Sequence, residues 1–187
     1  GKGLVANVGL QLTPDLETRF YLRYRETEHQ TPGRLTQSQI DDDPTQANAG
    51  NIARDAKREQ PGSTWLANKT TLRLDDVSTL EMGLVYHHYP MDLMESPYRI
   101  RVDYSDVSAT LNYKREHELF GLNSNTTVGW RTTTNLPSSD AKETAYQLLN
   151  ASGTIYPVGT LMREYTHQGS DNVLHVSNEL ELAPRLW

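Results

Sequence analysis

The sequence predicts an all-β fold: an antiparallel up-and-down meander that forms part of a transmembrane β-barrel. Three observations predict it. Apolar and polar residues alternate along seven stretches, the period-two signature of strands with unlike faces. The apolar rows contain no Asp, Glu, Lys or Arg, while the opposing rows collect them. The connections alternate between short and long, which in a meander puts the tight turns at one end and the long loops at the other.

The first strand reads Leu4, Ala6, Val8, Leu10 and Leu12, and Pro14-Asp15 turns it back. The second sets Thr18, Phe20, Leu22 and Tyr24 against Glu17, Arg19, Tyr21, Arg23 and Arg25. A long polar loop follows near 29–62, within which Thr36 is placed to cap a short helix to about Asp42, stopped by Pro44. The third strand opposes Leu66, Thr70, Leu72 and Leu74 to Trp65, Ala67, Lys69, Thr71 and Arg73, with Asn68 the discordant member of the apolar row. Asp75-Asp76-Val77-Ser78 is a tight connection to Leu80, Met82, Leu84 and Tyr86. A Pro-containing link near 89–105 is expected before Val107, Ala109, Leu111 and Tyr113. A shorter turn region, Arg115 to Ser124, precedes Thr126, Val128 and Trp130. A second long polar region near 134–172 leads to Leu174, Val176, Leu180 and Leu182, then a turn at Ala183-Pro184-Arg185 and the start of an eighth strand at Leu186-Trp187.

Composition narrows the function classes. The chain carries 18 Lys and Arg against 24 Asp and Glu, a net charge of -6, which disfavours nucleic acid as a partner. It has no cysteine, so disulfides and thiolate metal sites are excluded. No stretch is long and apolar enough for a membrane-spanning helix. Gly1-Lys2-Gly3 resembles neither a signal peptide nor a start methionine, so the chain reads as cut from something longer.

Alternation alone equally fits a soluble sandwich, and a secreted β-sandwich binding module for carbohydrate is the alternative; a β-rich hydrolase ranks third. Two features favour the barrel. The regular short and long connections are one, and the other is the placement of Tyr24, Tyr86 and Trp130 toward one end and Tyr113 toward the other, as interfacial aromatic girdles require.

The loop adds a family resemblance. Pro32, Gly33, Leu35 and Thr36 form a Pro-Gly-x-Leu-Thr element ahead of the short helix, and Pro44, Gln46 and Ala47 form Pro-x-Gln-Ala. In this setting they resemble a first-half barrel region of TonB-dependent outer-membrane receptors. The resemblance implies a bacterial outer-membrane location, lipid contact and, in the intact family, a barrel of twenty-two strands. It also implies import of a scarce nutrient, chiefly a ferric-siderophore complex, with a cofactor-like small molecule or copper behind it. Coupling to the TonB complex would run through a plug domain that this chain does not show, so no energy-coupling residue is assigned.

Chemistry is then ligand capture rather than catalysis. Arg19, Arg23, Arg25, Arg73 and Arg131 on the charged rows suit an anionic chelate through bidentate hydrogen bonds, and also suit structural pairing with Glu17, Glu81 and Glu179. The segment from His87 and His88 through Tyr89, Met91 and Met94 to Tyr98 and Arg99 is the richest in ligand-type side chains, although adjacent histidines on a strand face opposite ways. The candidate ligand-binding set is Arg19, Arg23, Arg73, His87, His88, Tyr89, Tyr98 and Arg99. His117, His167 and His175 read as isolated, and Asp41 to Asp43 as a solvated helix end. No metal motif, cofactor fingerprint or catalytic signature is present.

Overall fold

The computed structural model describes residues 1–95, 97–137, 139–145, 149–151 and 153–183. One antiparallel sheet dominates, built from β1 (Lys2–Thr13), β2 (Leu16–Gln30), β3 (Lys57–Arg73), β4 (Ser78–Glu95), β5 (Tyr98–Leu119), β6 (Leu122–Asn135) and β11 (Ser170–Leu180), in that spatial order. Two short helices, α1 (Gln37–Asp42) and α2 (Ala49–Ala53), lie between β2 and β3. Between β6 and β11, β7 (Asp140–Ala145) pairs with the outer half of β5, β10 (Leu161–Thr166) pairs with β7, and β8 (Leu149–Ala151) pairs with β9 (Thr154–Tyr156). β1 pairs only with β2 and β11 only with β6, so the sheet is open among the described residues. The turn at Pro184-Arg185 and the eighth strand lie outside the described residues.

The seven predicted strands are present, and their register lines up the predicted rows. One row runs Ala6, Leu22, Leu66, Tyr86 and Val107; the next runs Val8, Phe20, Asn68, Leu84 and Ala109; another runs Leu10, Thr18, Thr70, Met82, Leu111, Trp130 and Leu174; a fourth runs Leu16, Leu72, Leu80, Tyr113, Val128 and Val176. These share one face, here face A. Because side chains alternate with period two, Arg19, Lys69, Glu81, Lys114 and Arg131 share the other, face B.

Face A is uncharged and uncovered. Leu84 is 57% exposed, Val8 53% and Leu174 82%, and among the described residues packing is lateral, strand against neighbouring strand, with no second layer. Leu10, Leu22, Leu84 and Leu111 lie in one sheet rather than across two. Among the described residues the buried apolar ones are Ala56, Met94, Ala141 and Ala145, none of them in the apolar band. A band with so much exposed apolar surface has no core of its own to repay the entropy of ordering it. Asn68 is reconciled locally: its Nδ2 donates to Thr18 Oγ1 at 2.8 Å and to the Arg19 carbonyl at 3.3 Å, and its Oδ1 accepts from Thr70 Oγ1 at 3.0 Å. The triad spends its polarity internally.

The structure corrects the expected link near 89–105. β4 and β5 instead continue as paired strands from His88 with Ser105 to Glu95 with Tyr98. Along this extension the faces exchange character. Face A becomes largely polar, with His88, Pro90, Asp92, Met94, Arg99, Arg101, Asp103 and, on β7, Asp140 and Lys142; face B becomes largely apolar, with Tyr89, Met91, Leu93, Tyr98, Ile100, Val102, Tyr104 and, on β7, Ala141, Glu143 and Ala145. The alternation persists and its phase inverts at the His87-His88 step. The loop boundaries near 29–62 and 134–172 also shrink, since β2 runs to Gln30, β3 starts at Lys57 through a bulge at Pro61-Gly62, and β7 and β10 occupy the later region. Gly62 sits at φ +92°, which lets the bulge re-aim the strand. Trp130 lies mid-face by register, in the Met82 row, rather than at the margin with Tyr24.

Thr36 caps α1 as predicted: its hydroxyl accepts from Gln39 N and the Gln39 side chain reaches back to Thr36 N at 2.8 Å, a capping box. The lobe 31–56 closes at its base through Thr31 N donating to the Ala56 carbonyl. At the other end of the sheet lie the tight turns at Pro14-Asp15, Leu74–Val77 and Phe120-Gly121. The long connections therefore share one end, as expected.

Candidate functional site

The candidate site is face B where β2, β3, β4 and β5 approach the long-loop end. Arg23 pairs in register with Trp65, Trp65 with His87, and His87 with Asp106, so four strands contribute one row. The Arg23 guanidinium lies 5.7 Å from the Trp65 ring centroid, a cation–π distance. Tyr21 tilts against Trp65 at 6.4 Å. His87 Nδ1 is 3.5 Å from Asp106 Oδ2, and its ring is 5.8 Å from that of Tyr89. Arg58 Nη2 donates to Tyr89 OH at 2.6 Å, while its buried Nε has no partner. Further along, Asn135 Nδ2 donates to Tyr104 OH and His167 packs edge-on against the Tyr104 ring.

Charge is distributed unevenly on this face. Among the described residues, Arg19 pairs with Glu17 at 3.2 Å, Lys69 and Lys114 both pair with Glu81, and Arg131 reaches Asp171. Arg23, Arg25, Arg58 and Arg73 have no carboxylate within ion-pair reach among the described residues. Three of these four stand on β2 and β3 near the long-loop end; Arg73 lies at the opposite, short-turn end.

The predicted ligand set is thus divided. Arg23, His87 and Tyr89 come together, and Tyr98 lies farther out on the same face, against a cleft of about 390 Å³ lined also by Gly33, Asn48 and Ile100. Arg19 is already paired, and Arg73 is remote. His88 and Arg99 are on face A, away from this cluster, because strand neighbours alternate. His88 Nδ1 is 2.9 Å from Ser105 Oγ and 3.5 Å from Asp103, both on one ring nitrogen, whereas a hydrolytic relay needs serine and carboxylate on opposite nitrogens. Sequence reasoning missed Arg58, Trp65, Tyr21, Asp106 and Tyr104 as site residues. Tyr21 and Trp65 were legible as charged-row members, but Arg58 became so only once β3 was known to start at Lys57.

Among the described residues no group of three or more His, Asp or Glu is arranged to hold a metal ion. The long hairpin is pinned on face A by Asp92, which accepts Arg99 Nε at 2.8 Å and Arg99 Nη2 at 2.6 Å, with Arg101 Nε at 3.0 Å. Burial pushes the Asp92 carboxyl up, and the two guanidiniums outweigh it, holding the acid below its ordinary value. A depressed acid stabilises the fold above its unfolded pKa of about 3.9 and loses that contribution as pH falls through its folded value. Hydrogen exchange at Arg99 to Asp103, corrected for intrinsic rates, should therefore speed up relative to Val107 to Tyr113 below about pH 4. Asp92→Asn should show the fast rate at neutral pH.

No protein-family model matches this chain, and a search of curated proteins finds no match to it.

Proposed function

We propose that the chain is a wall segment of a transmembrane β-barrel in a bacterial outer membrane, of the TonB-dependent receptor type, with face A toward lipid and face B lining the passage for a small anionic nutrient such as a metal chelate. The observation that carries this reading is the band on face A: uncharged across seven hydrogen-bonded strands, uncovered, and bounded by charge. On β5 the face A residues run Arg101, Asp103, Ser105, then Val107, Ala109, Leu111, Tyr113, then Arg115. On β2 the apolar stretch from Leu16 to Tyr24 gives way to Glu26. Eight steps of about 3.3 Å make roughly 26 Å along the strand, or about 20 Å at a tilt near 40°. That is close to the height of the apolar belt of outer-membrane barrels, about 25 Å.

The exchange of face character at His87-His88 supports the same reading. A strand leaving hydrocarbon for water turns its outward side chains polar, and its inward ones are then free to be apolar. The Pro32 to Ala47 elements support the receptor type, and Arg23, Arg25 and Arg58, with no carboxylate in ion-pair reach among the described residues, support an anion as cargo.

Tryptophan quenching tests the orientation. With Trp187 replaced by Phe in both, a chain keeping only Trp130 and one keeping only Trp65 are placed in phosphatidylcholine vesicles. Bromine on the acyl chains is expected to quench Trp130 strongly and Trp65 weakly, with aqueous iodide doing the reverse. A Trp130 shielded from both quenchers would defeat the reading in favour of an enclosed protein layer.

A further inference from the structure

We infer that the ligand taken at this mouth is an organic anion bearing an aryl group, rather than a compact hydrophilic anion; the inference rests on the lumen-facing orientation of face B proposed above. Two surfaces meet there. One is the inverted stretch of β4 and β5, where Met91, Leu93, Ile100 and Val102, each half-buried, line face B beyond the charged rows, with Glu143 of β7 beside Ile100 in register and held by Arg163. Apolar side chains on the wet side of a wall are costly unless something apolar covers them. The lobe 31–56 reaches the Tyr98 and Ile100 end through the cleft already described.

The other surface is cationic and lies directly beside the first. Arg58 pairs in register with Leu93 and is hydrogen-bonded to Tyr89, so one guanidinium stands at the seam between the apolar wall and the Arg23–Trp65–His87 row. Its Nε lacks an acceptor, and no carboxylate neutralises it among the described residues. A carboxylate or sulfonate at this seam gains a charge-assisted hydrogen bond, and an aryl ring attached to it reaches the Met91 to Val102 wall on one side or the Trp65 and Tyr89 rings on the other. A small hydrophilic anion satisfies only the arginines and leaves the wall wet.

The test uses energy transfer from Trp65, as the sole tryptophan of the chain in phosphatidylcholine vesicles, to dansylglycine, an aryl carboxylate. Dansylamide serves as its uncharged counterpart and citrate as a non-aryl competitor. Dansylglycine is expected to bind saturably, dansylamide at least tenfold more weakly, and citrate to displace it poorly. Arg58→Gln and Val102→Asp should each weaken dansylglycine about tenfold, and Arg58→Lys should recover most of the loss, which a misfolded chain would not. Equal binding of dansylamide, or variants that bind like the parent, would overturn the inference as simple partition into lipid. If Trp130 is quenched by bromine while dansylglycine does not bind, this inference fails and the wall reading survives. If Trp130 is shielded but the charge and aryl dependence is seen, the wall reading falls and takes with it the inference as a statement about a passage, leaving an aryl-anion site on an enclosed protein.

Discussion

If face A meets lipid as proposed, Leu84→Arg is expected to destabilise the chain by about 2–4 kcal/mol, the cost of an arginine facing lipid near the bilayer midplane. Leu84 is 57% exposed and touches no second layer, so in a water-soluble protein the same change would fall within about 0.5 kcal/mol of neutral. The gap between these values makes the substitution decisive. Its control is Thr71→Arg, on face B between Glu17 and Glu81 in register, where a new cation meets carboxylates and water. Urea titration in lipid vesicles should show the first variant losing its folded fraction at markedly lower denaturant and the second close to the parent. Two variants of equal stability would contradict a lipid-facing band.

Gly33→Ala is expected to loosen the lobe 31–56 by roughly 2–4 kcal/mol while leaving the wall intact. Two costs combine. Gly33 has φ +79°, a conformation that costs an L-residue about 1–2 kcal/mol. A methyl there would also stand 2.7 Å from Asn51 Nδ2 and 2.8 Å from Asn48 Cβ. Neither asparagine can easily yield: Asn51 is 3% exposed and its Nδ2 donates to the Thr31 carbonyl, while Asn48 caps α2 and its Nδ2 donates to the Arg34 carbonyl. Hydrogen exchange should rise across α1 and α2 with Leu80 to Tyr86 unchanged. Unaltered exchange in the lobe would show that the glycine is dispensable.

The seven long strands were legible because one uncharged and one charged face impose a two-residue period that few other structures share. The Thr36 cap was legible for a similarly local reason, since the hydroxyl and Gln39 satisfy each other's backbone donors with no help from elsewhere. The outer half of the β4–β5 hairpin was not. Its alternation runs in the opposite phase, and Pro90 with Asp92, Arg101 and Asp103 imitates a polar loop when the strand is read against the rows below. α2 spans five residues, too short for a helical period, and its signal was the single cap Asn48. β7 and β10 are six residues each and gain their place by pairing with β5 and with each other, a long-range fact. The candidate site divided for a reason the sequence did contain: His87 with His88, and Tyr98 with Arg99, are neighbours that must part to opposite faces. Arg58 stays hidden because Pro61-Gly62 and the polar residues before it make its strand read as loop.

On the proposed lipid-facing orientation of face A, the charged margins of the uncharged band would also set how the sheet sits along the membrane normal. Sliding the β4–β5 hairpin inward by two residues would carry His88 and Ser105 past the boundary and bring Asp103 up to it, and sliding it outward would draw Arg115 in from the other side. Displacement in either direction would then meet a rising electrostatic cost, giving the hairpin one preferred depth. Loops can then change around the mouth without the wall drifting up or down beneath them.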